Sequence, residues 1–255
     1  MRLAAHLLLA AAMVLPACFQ SAAQVRQYRA EAVKQYPHDV DSYTQGLFFV
    51  DGQLYESTGQ YGSSTFRKVE LGTGKALRRL DFGDKYFVEG SVALGDRLYI
   101  LTWTNRVAFI YDFGSLTYRS TLSYPRQGWG LTTDGKSLIA SDGSSRLYYL
   151  SPDMKVTGTL DVKLHGKALN YLNELEYIDG KIWANVYMTN MVVVIDPATG
   201  TVESVIDCAG LLDPGLRTAD TDVLNGIAYD STTGKIYMTG KNWPLLFEIR
   251  LVEKK

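Results

Sequence analysis

The sequence predicts an all-β chain built from five copies of one unit, and three observations carry that expectation. An apolar doublet recurs just after a turn, as Leu54-Tyr55, Leu98-Tyr99, Leu138-Ile139, Ile182-Trp183 and Ile236-Tyr237. Four doublets follow paired Asp and Gly, such as Asp51-Gly52 and Asp179-Gly180, and the fifth follows Thr233-Gly234, all of them hairpin signals. Helix signals are nearly absent, while 17 Tyr and 4 Trp in 255 residues suit strand faces and aromatic-lined pockets.

Each unit continues in one order. A third β-rich run follows the doublet (66–70, 108–112, 147–150, 192–196 and 246–251), then, in most units, a turn and a more polar fourth run such as 76–81, 118–122 or 201–207. Four short strands in about 40–45 residues is the size of one propeller blade. The expected fold is therefore a five-bladed β-propeller of four-stranded blades, with the polar fourth strand facing water. The last unit stops at Leu251 without its fourth strand, and residues 28–36 carry an outer-strand pattern to spare. They are expected to complete the last blade and close the ring, hiding sheet edges that would otherwise recruit other chains. No linker interrupts residues 24–255, which read as a single domain. The insert at 210–222 is expected to form a loop over one face.

Bulk properties narrow the function classes. A net charge of −1 gives no electrostatic reason for a nucleic-acid partner. Residues 1–23 read as an export signal: Arg2 supplies a positive start, residues 3–15 an apolar core, and Ser21-Ala22-Ala23 a small-residue cleavage site. The expected location is periplasmic or secreted. An alternative puts lipid on Cys18, in Leu15-Pro16-Ala17-Cys18. No run is long and apolar enough to span a membrane. Cleavage after Ala23 leaves Cys208 without an intramolecular disulfide partner.

Aligning the units maps a candidate site. Each first strand opens at Gln45, Glu89, Trp129, Asn173 or Asn225, and four of these five precede Gly. First strands line the channel of a propeller, so the five should ring one mouth. Five residues beyond each doublet's start stand Gly59, Trp103, Gly143, Tyr187 and Lys241, a second ring. A structural position in a repeat tends to keep one residue type. These positions differ in kind: one carboxylate, one ammonium, two indoles and several amides, which reads as a division of tasks.

At these segments the chain resembles the plant-type glutaminyl cyclase family, which also occurs in bacteria. The matching stretches include Tyr43-Thr44-Gln45-Gly46-Leu47, Gly128-Trp129-Gly130-Leu131, Leu172-Asn173-Glu174-Leu175-Glu176-Tyr177, Asn225-Gly226-Ile227-Ala228-Tyr229 and Thr239-Gly240-Lys241-Asn242-Trp243-Pro244. The resemblance implies a five-bladed propeller that closes N-terminal Gln of a peptide or protein into pyroglutamate, with no catalytic metal and no cofactor. It implies Glu89 as the acid/base, with Tyr43, Gln45, Phe87, Trp103, Trp129, Asn173 and Lys241 forming the substrate pocket. Tyr43 stands where Phe is common in the family, and Val88 where Gly is usual. Gln45, Asn173 and Lys241 are alternative donors to the oxyanion. A monomer is expected. Two rival readings remain: a divalent-metal propeller hydrolase ligating through Glu89, Asn173 and Asn225, and a non-catalytic peptide-binding propeller. One carboxylate with two amides is a weak hard-cation set, and neither His38 nor His165 falls on the ring.

Overall fold

The computed structural model describes residues 24–254; the expected export signal, with Cys18, lies outside the described residues. Strand β1 (Arg26–Pro37) is followed by β2 (Thr44–Val50), β3 (Gln53–Thr58), β4 (Thr65–Val69) and β5 (Ala76–Asp81). Next come β6 (Val88–Leu94), β7 (Arg97–Thr102), β8 (Val107–Asp112) and β9 (Tyr118–Ser123). A third group holds β10 (Leu131–Thr133), β11 (Leu138–Ala140), β12 (Arg146–Leu150) and β13 (Val156–Asp161), and a small ribbon pairs β14 (Lys163–Leu164) with β15 (Lys167–Ala168). The chain continues through β16 (Leu172–Ile178), β17 (Lys181–Val186), β18 (Met191–Ile195) and β19 (Val202–Asp207) to β20 (Leu224–Asp230), β21 (Lys235–Gly240) and β22 (Leu245–Glu253). Helix is confined, among the described residues, to one 3-10 turn at Pro214–Leu216 within the expected insert.

Three groups, β2–β5, β6–β9 and β10–β13, form separate four-stranded antiparallel sheets in chain order. The last two groups do not. They share one eight-stranded sheet in the order β16-β17-β18-β19-β1-β22-β21-β20. The expected N-terminal strand is found and is longer than 28–36. It pairs antiparallel with β22 from Tyr28 opposite Glu253 to Pro37 opposite Leu245. Its beginning also pairs in parallel with β19, from Arg26 opposite Ser204 to Arg29 opposite Asp207. A strand has two hydrogen-bonding edges, and β1 uses both, so two sheets that the repeat predicts as separate become continuous.

The doublets now have a physical reason. In the middle strands both faces are covered, so consecutive rather than alternate residues must be apolar. Leu98 and Ile100 of β7 pack with Phe48 and Phe66 of the preceding sheet, whereas Tyr99 and Leu101 pack with Leu131 and Leu138 of the following one. Ile182 and Ala184 of β17 likewise meet Ile139 and Leu147, while Trp183 turns to Ile227 and Met238. The fourth strands β5 and β9 are largely exposed, as their polarity predicts. Cys208 is a buried free thiol packed against Met238, and burial pushes its pKa up to about 12.

The first strands β2, β6, β10, β16 and β20 touch one another in that cyclic order, with β20 returning to β2. Their approach is so close that a side chain is excluded at Gly130, where a Cβ would collide with the Asn173 carbonyl oxygen. At the far end from the ring residues, a cavity of about 180 Å³ is lined by all five of these strands and by the carboxyl of Glu176. Glu174 and Glu176 lie two apart on β16 and so share a face. Glu174 accepts from the backbone N–H of Leu47 (3.3 Å) and Ile227 (2.8 Å). Glu176 accepts from the N–H of Tyr229 (2.9 Å), and the Thr132 hydroxyl lies 3.4 Å from its second oxygen. Burial pushes Glu176 up to about 8, the hydrogen bonds opposing it.

Two expectations follow. Deleting residues 24–37 bares the outer edges of both β22 and β19, and size-exclusion chromatography should show aggregation in place of a monodisperse protein. For Glu176, the folded chain holds a proton that the unfolded chain releases near 4.5, so stability falls as pH climbs from about 5 to about 8. Glu176→Gln keeps the acceptor for Tyr229 and removes the charge. Its unfolding free energy should gain on the parent's with rising pH, by about 3 kcal/mol between those limits; parallel curves would count against a carboxyl protonated in the fold.

Candidate active site

The register of the sheets explains how side chains reach the opposite mouth. Pairing slips at the start of four first strands: between Thr44 and Gly46, Val88 and Ser91, Leu172 and Leu175, and Leu224 and Ile227. Gln45, Glu89, Asn173 and Asn225 all sit inside these bulges. A bulge sets two residues against one and re-aims a side chain that regular pairing would commit to a sheet face. In the third sheet Trp129 precedes β10 instead of opening it, and its carbonyl accepts from the N–H of Gly90 (2.7 Å).

A cavity of about 200 Å³ is lined by Tyr43, Gln45, Phe87, Glu89, Trp103, Trp129, Asn173 and Lys241 together with Tyr187. All eight residues expected at the site therefore meet in one pocket. Asn225, the remaining ring residue, does not line it; it lies fully buried behind, donating to the Thr44 carbonyl (2.9 Å) and toward the Gln45 amide oxygen (3.4 Å). The cation set Glu89, Asn173 and Asn225 is thus not presented to the pocket as a group. Among the described residues, no three His, Cys, Asp or Glu side chains gather as a metal site.

Two glycines of the second ring seat the aromatic walls. Phe87 lies where a Cβ on Gly59 would be, and Gly143, at φ +81°, leaves room for the Trp129 indole. Phe87 meets Trp103 edge-on at 5.6 Å between ring centres, and Trp129 meets Tyr187 at 5.5 Å. The Gln127 amide oxygen accepts from both indoles, at 2.9 Å from Trp103 and 3.3 Å from Trp129. The Lys241 ammonium lies 4.6 Å from the Tyr43 ring centre and 5.2 Å from that of Tyr187, within cation–π range of both.

The charges are set by burial. Glu89 is 6% exposed, and desolvation holds its carboxyl well above 4.5 against the opposing pull of Lys241. Lys241 is pushed down by burial, with Glu89 and Asp222 resisting. The Asn173 amide oxygen is buried and has no hydrogen-bond partner among the described residues. Behind the Tyr43–Gln45 wall, Glu56 has the opposite fate. Burial alone would raise it, but Arg67 (2.5 Å) and His38 (2.9 Å) overcome that and hold it at about 2. Thr44 donates to the same carboxylate at 2.6 Å, and Arg67 also donates to Ser42. The network therefore grips the residues on either side of Tyr43.

Two residues of the site lie outside the expected pocket set. The repeat places Tyr187 in the second ring but not among the pocket residues, and its aromatic character was the available signal. Asp222, which accepts from the Tyr43 hydroxyl at 2.7 Å, belongs to the irregular insert, where no repeat marks it.

A carboxyl of raised pKa facing a desolvated amine, between indoles on an all-β scaffold, defines a site for proton transfer to a small polar group. The family profile described as glutamine cyclotransferase matches residues 4–251. Glutaminyl-peptide cyclotransferase from Arabidopsis thaliana is 44% identical over 230 residues, covering 87% of this chain and 71% of that protein. The crystal structure of Myxococcus xanthus glutaminyl cyclase superposes with a TM-score of 0.84 at 36% identity, covering 91% of this chain and 100% of that one. The chain belongs to the glutamine cyclotransferase family.

The buried network sets a stability expectation. Glu56→Gln leaves His38 without its anion and Arg67 with Asp39 (2.6 Å) alone, and breaking such a buried pair is typically worth about 3–5 kcal/mol. Because the folded pKa of Glu56 is depressed, its contribution is complete above the unfolded value near 4.5 and lost as pH falls toward about 2. Denaturant melts at pH 7 and at pH 3 should therefore show a smaller gap between parent and variant at pH 3.

Proposed function

We propose that the protein converts the N-terminal glutamine of peptides and proteins into pyroglutamate with release of ammonia, in the pocket around Glu89. One observation carries this reading: a single carboxyl lines an aromatic pocket in a chain 44% identical to a glutaminyl-peptide cyclotransferase. The α-amine, uncharged, attacks the γ-carboxamide carbon of its own residue. Its nitrogen forms the ring bond, the carbonyl electrons move onto oxygen, and the amine proton passes to the Glu89 carboxylate. Collapse of the oxyanion breaks the bond to the amide nitrogen, which takes the proton from Glu89 and leaves as ammonia. Proton count and charge balance with one carboxyl and no further reactant.

Because the reaction is intramolecular, much of the task is holding a flexible side chain in attack geometry. Phe87, Trp103, Trp129 and Tyr187 supply walls of fixed orientation. Asn225 engages the Gln45 amide oxygen, which leaves the Gln45 NH₂ as a donor, and Asn173 and Lys241 are the other candidates for the oxyanion. The buried Asn173 oxygen suits the hydrogens of the substrate amine or carboxamide.

The same reading takes the scaffold as five blades of four strands, with β1 completing the last blade and tying it to the fourth; the cyclic contacts of the first strands support it. Residues 1–23 serve as a removable export signal, so residues 24–255 work as one catalytic domain in the periplasm or outside the cell, as a monomer. Lipid attachment at Cys18 is the alternative, and the mass of the exported protein separates the two.

Glu89→Gln retains size and cannot take up the amine proton. In a coupled ammonia-release assay on Gln-peptides, kcat should fall by about 10²–10⁴-fold with the melting temperature little changed. The parent's kcat/KM should lose activity on the acid side at a pH above 4.5, where the raised carboxyl becomes protonated. A chelator should leave turnover unchanged. Turnover of Glu89→Gln within a few-fold of the parent would end the mechanism.

A further inference from the structure

We infer that Asp222 is a positioning residue, which locks the Tyr43 ring and the Lys241 ammonium into one fixed unit facing Glu89. Its side chain and backbone bond to both members of that unit and to the loop around them. The carboxylate accepts the Tyr43 hydroxyl through Oδ2 at 2.7 Å and the Val223 N–H through Oδ1 at 2.8 Å. The Asp222 N–H donates to the Lys241 carbonyl at 2.9 Å, and the Lys241 N–H returns a bond to the Val223 carbonyl at 2.9 Å. The Asp222 carbonyl accepts the Trp243 indole N–H at 2.9 Å and lies 3.3 Å from the Arg217 guanidinium. One residue thus holds the backbone that carries Lys241 and the ring on which its ammonium rests.

The side-chain bond depends on the Tyr43 hydroxyl, which a phenylalanine at this position would lack. Burial, reinforced by that bond, raises the phenol pKa, so Tyr43 stays a donor throughout the working range. Lys241 is faced by Glu89, by Asp222 and by the rings of Tyr43 and Tyr187. Removing the Asp222 carboxylate therefore has two separable consequences. The Tyr43 ring loses its anchor, and Lys241 loses one of the two anions that resist its deprotonation.

The kinetic arm of the test rests on the cyclisation reading; a second arm does not. With Gln-peptides, Asp222→Ala should raise KM about tenfold, the cost of losing a hydrogen bond to a charged acceptor. Asp222→Asn can keep its oxygen on the Val223 N–H and donate its NH₂ to the Tyr43 hydroxyl, which preserves the anchor and should restore most of that loss. Adding Tyr43→Phe to Asp222→Ala should change KM little further, since the bond is already gone. A purely structural role would lower the melting temperature and leave KM at the parent's value. Independently of activity, the Lys241 titration, followed by side-chain NMR, should move to lower pH in both Asp222→Asn and Asp222→Ala. Parental KM in Asp222→Ala, or a Lys241 titration unmoved in Asp222→Asn, overturns the inference. A parent protein that releases no ammonia refutes the cyclisation reading alone, and the titration then decides the role of Asp222.

Discussion

Crowding at the axis is the constraint on which the site depends. Five first strands approach until no Cβ fits at Gly130, and in the other four sheet segments the pairing slips where the first strand reaches this axis. Four hairpins carry a bulge, and three of these bring a side chain to the pocket, Gln45, Glu89 and Asn173, while Asn225 stays buried behind it. Glu89 reaches the pocket from such a bulge. The same crowding removes water, and it is the loss of water that raises the carboxyl.

Burial by itself does not dictate a charge state, as two carboxyls here show. Glu56 and Glu89 are almost equally inaccessible. Glu56 touches a guanidinium, an imidazole and a hydroxyl, and remains ionised. Glu89 faces its cation across the pocket, and desolvation wins. The first arrangement fixes a wall and the second leaves a proton free to move. Both lie on strands from neighbouring sheets, so the rigid wall and the pocket carboxyl share one support.

Much of this was legible in the sequence because the doublets and turns report a repeat, and a repeat assigns positions before any contact is known. The equivalence of Gln45, Glu89, Trp129, Asn173 and Asn225 came from alignment of units alone. Bulges were not legible: the Gly that follows four of those residues signals close approach but not a slipped register. The parallel pairing of β1 with β19 was hidden for another reason, since it joins segments from opposite parts of the chain and leaves no periodic trace. The burial of Glu174 and Glu176 at the axis was not legible either, since their alternation with apolar residues does not say which face they take. Asp222 lies in the irregular insert, where the repeat gives no coordinate.

The pairing of β1 with β22 also orders events in time. Tyr28 meets Glu253, so the first strand of the scaffold waits for the last to be synthesised before its antiparallel partner exists. Until then β1 is an unsatisfied edge, and closing so long a loop carries an entropic cost that only the finished ring repays. Delayed closure therefore makes the interval before it the moment of greatest exposure to aggregation.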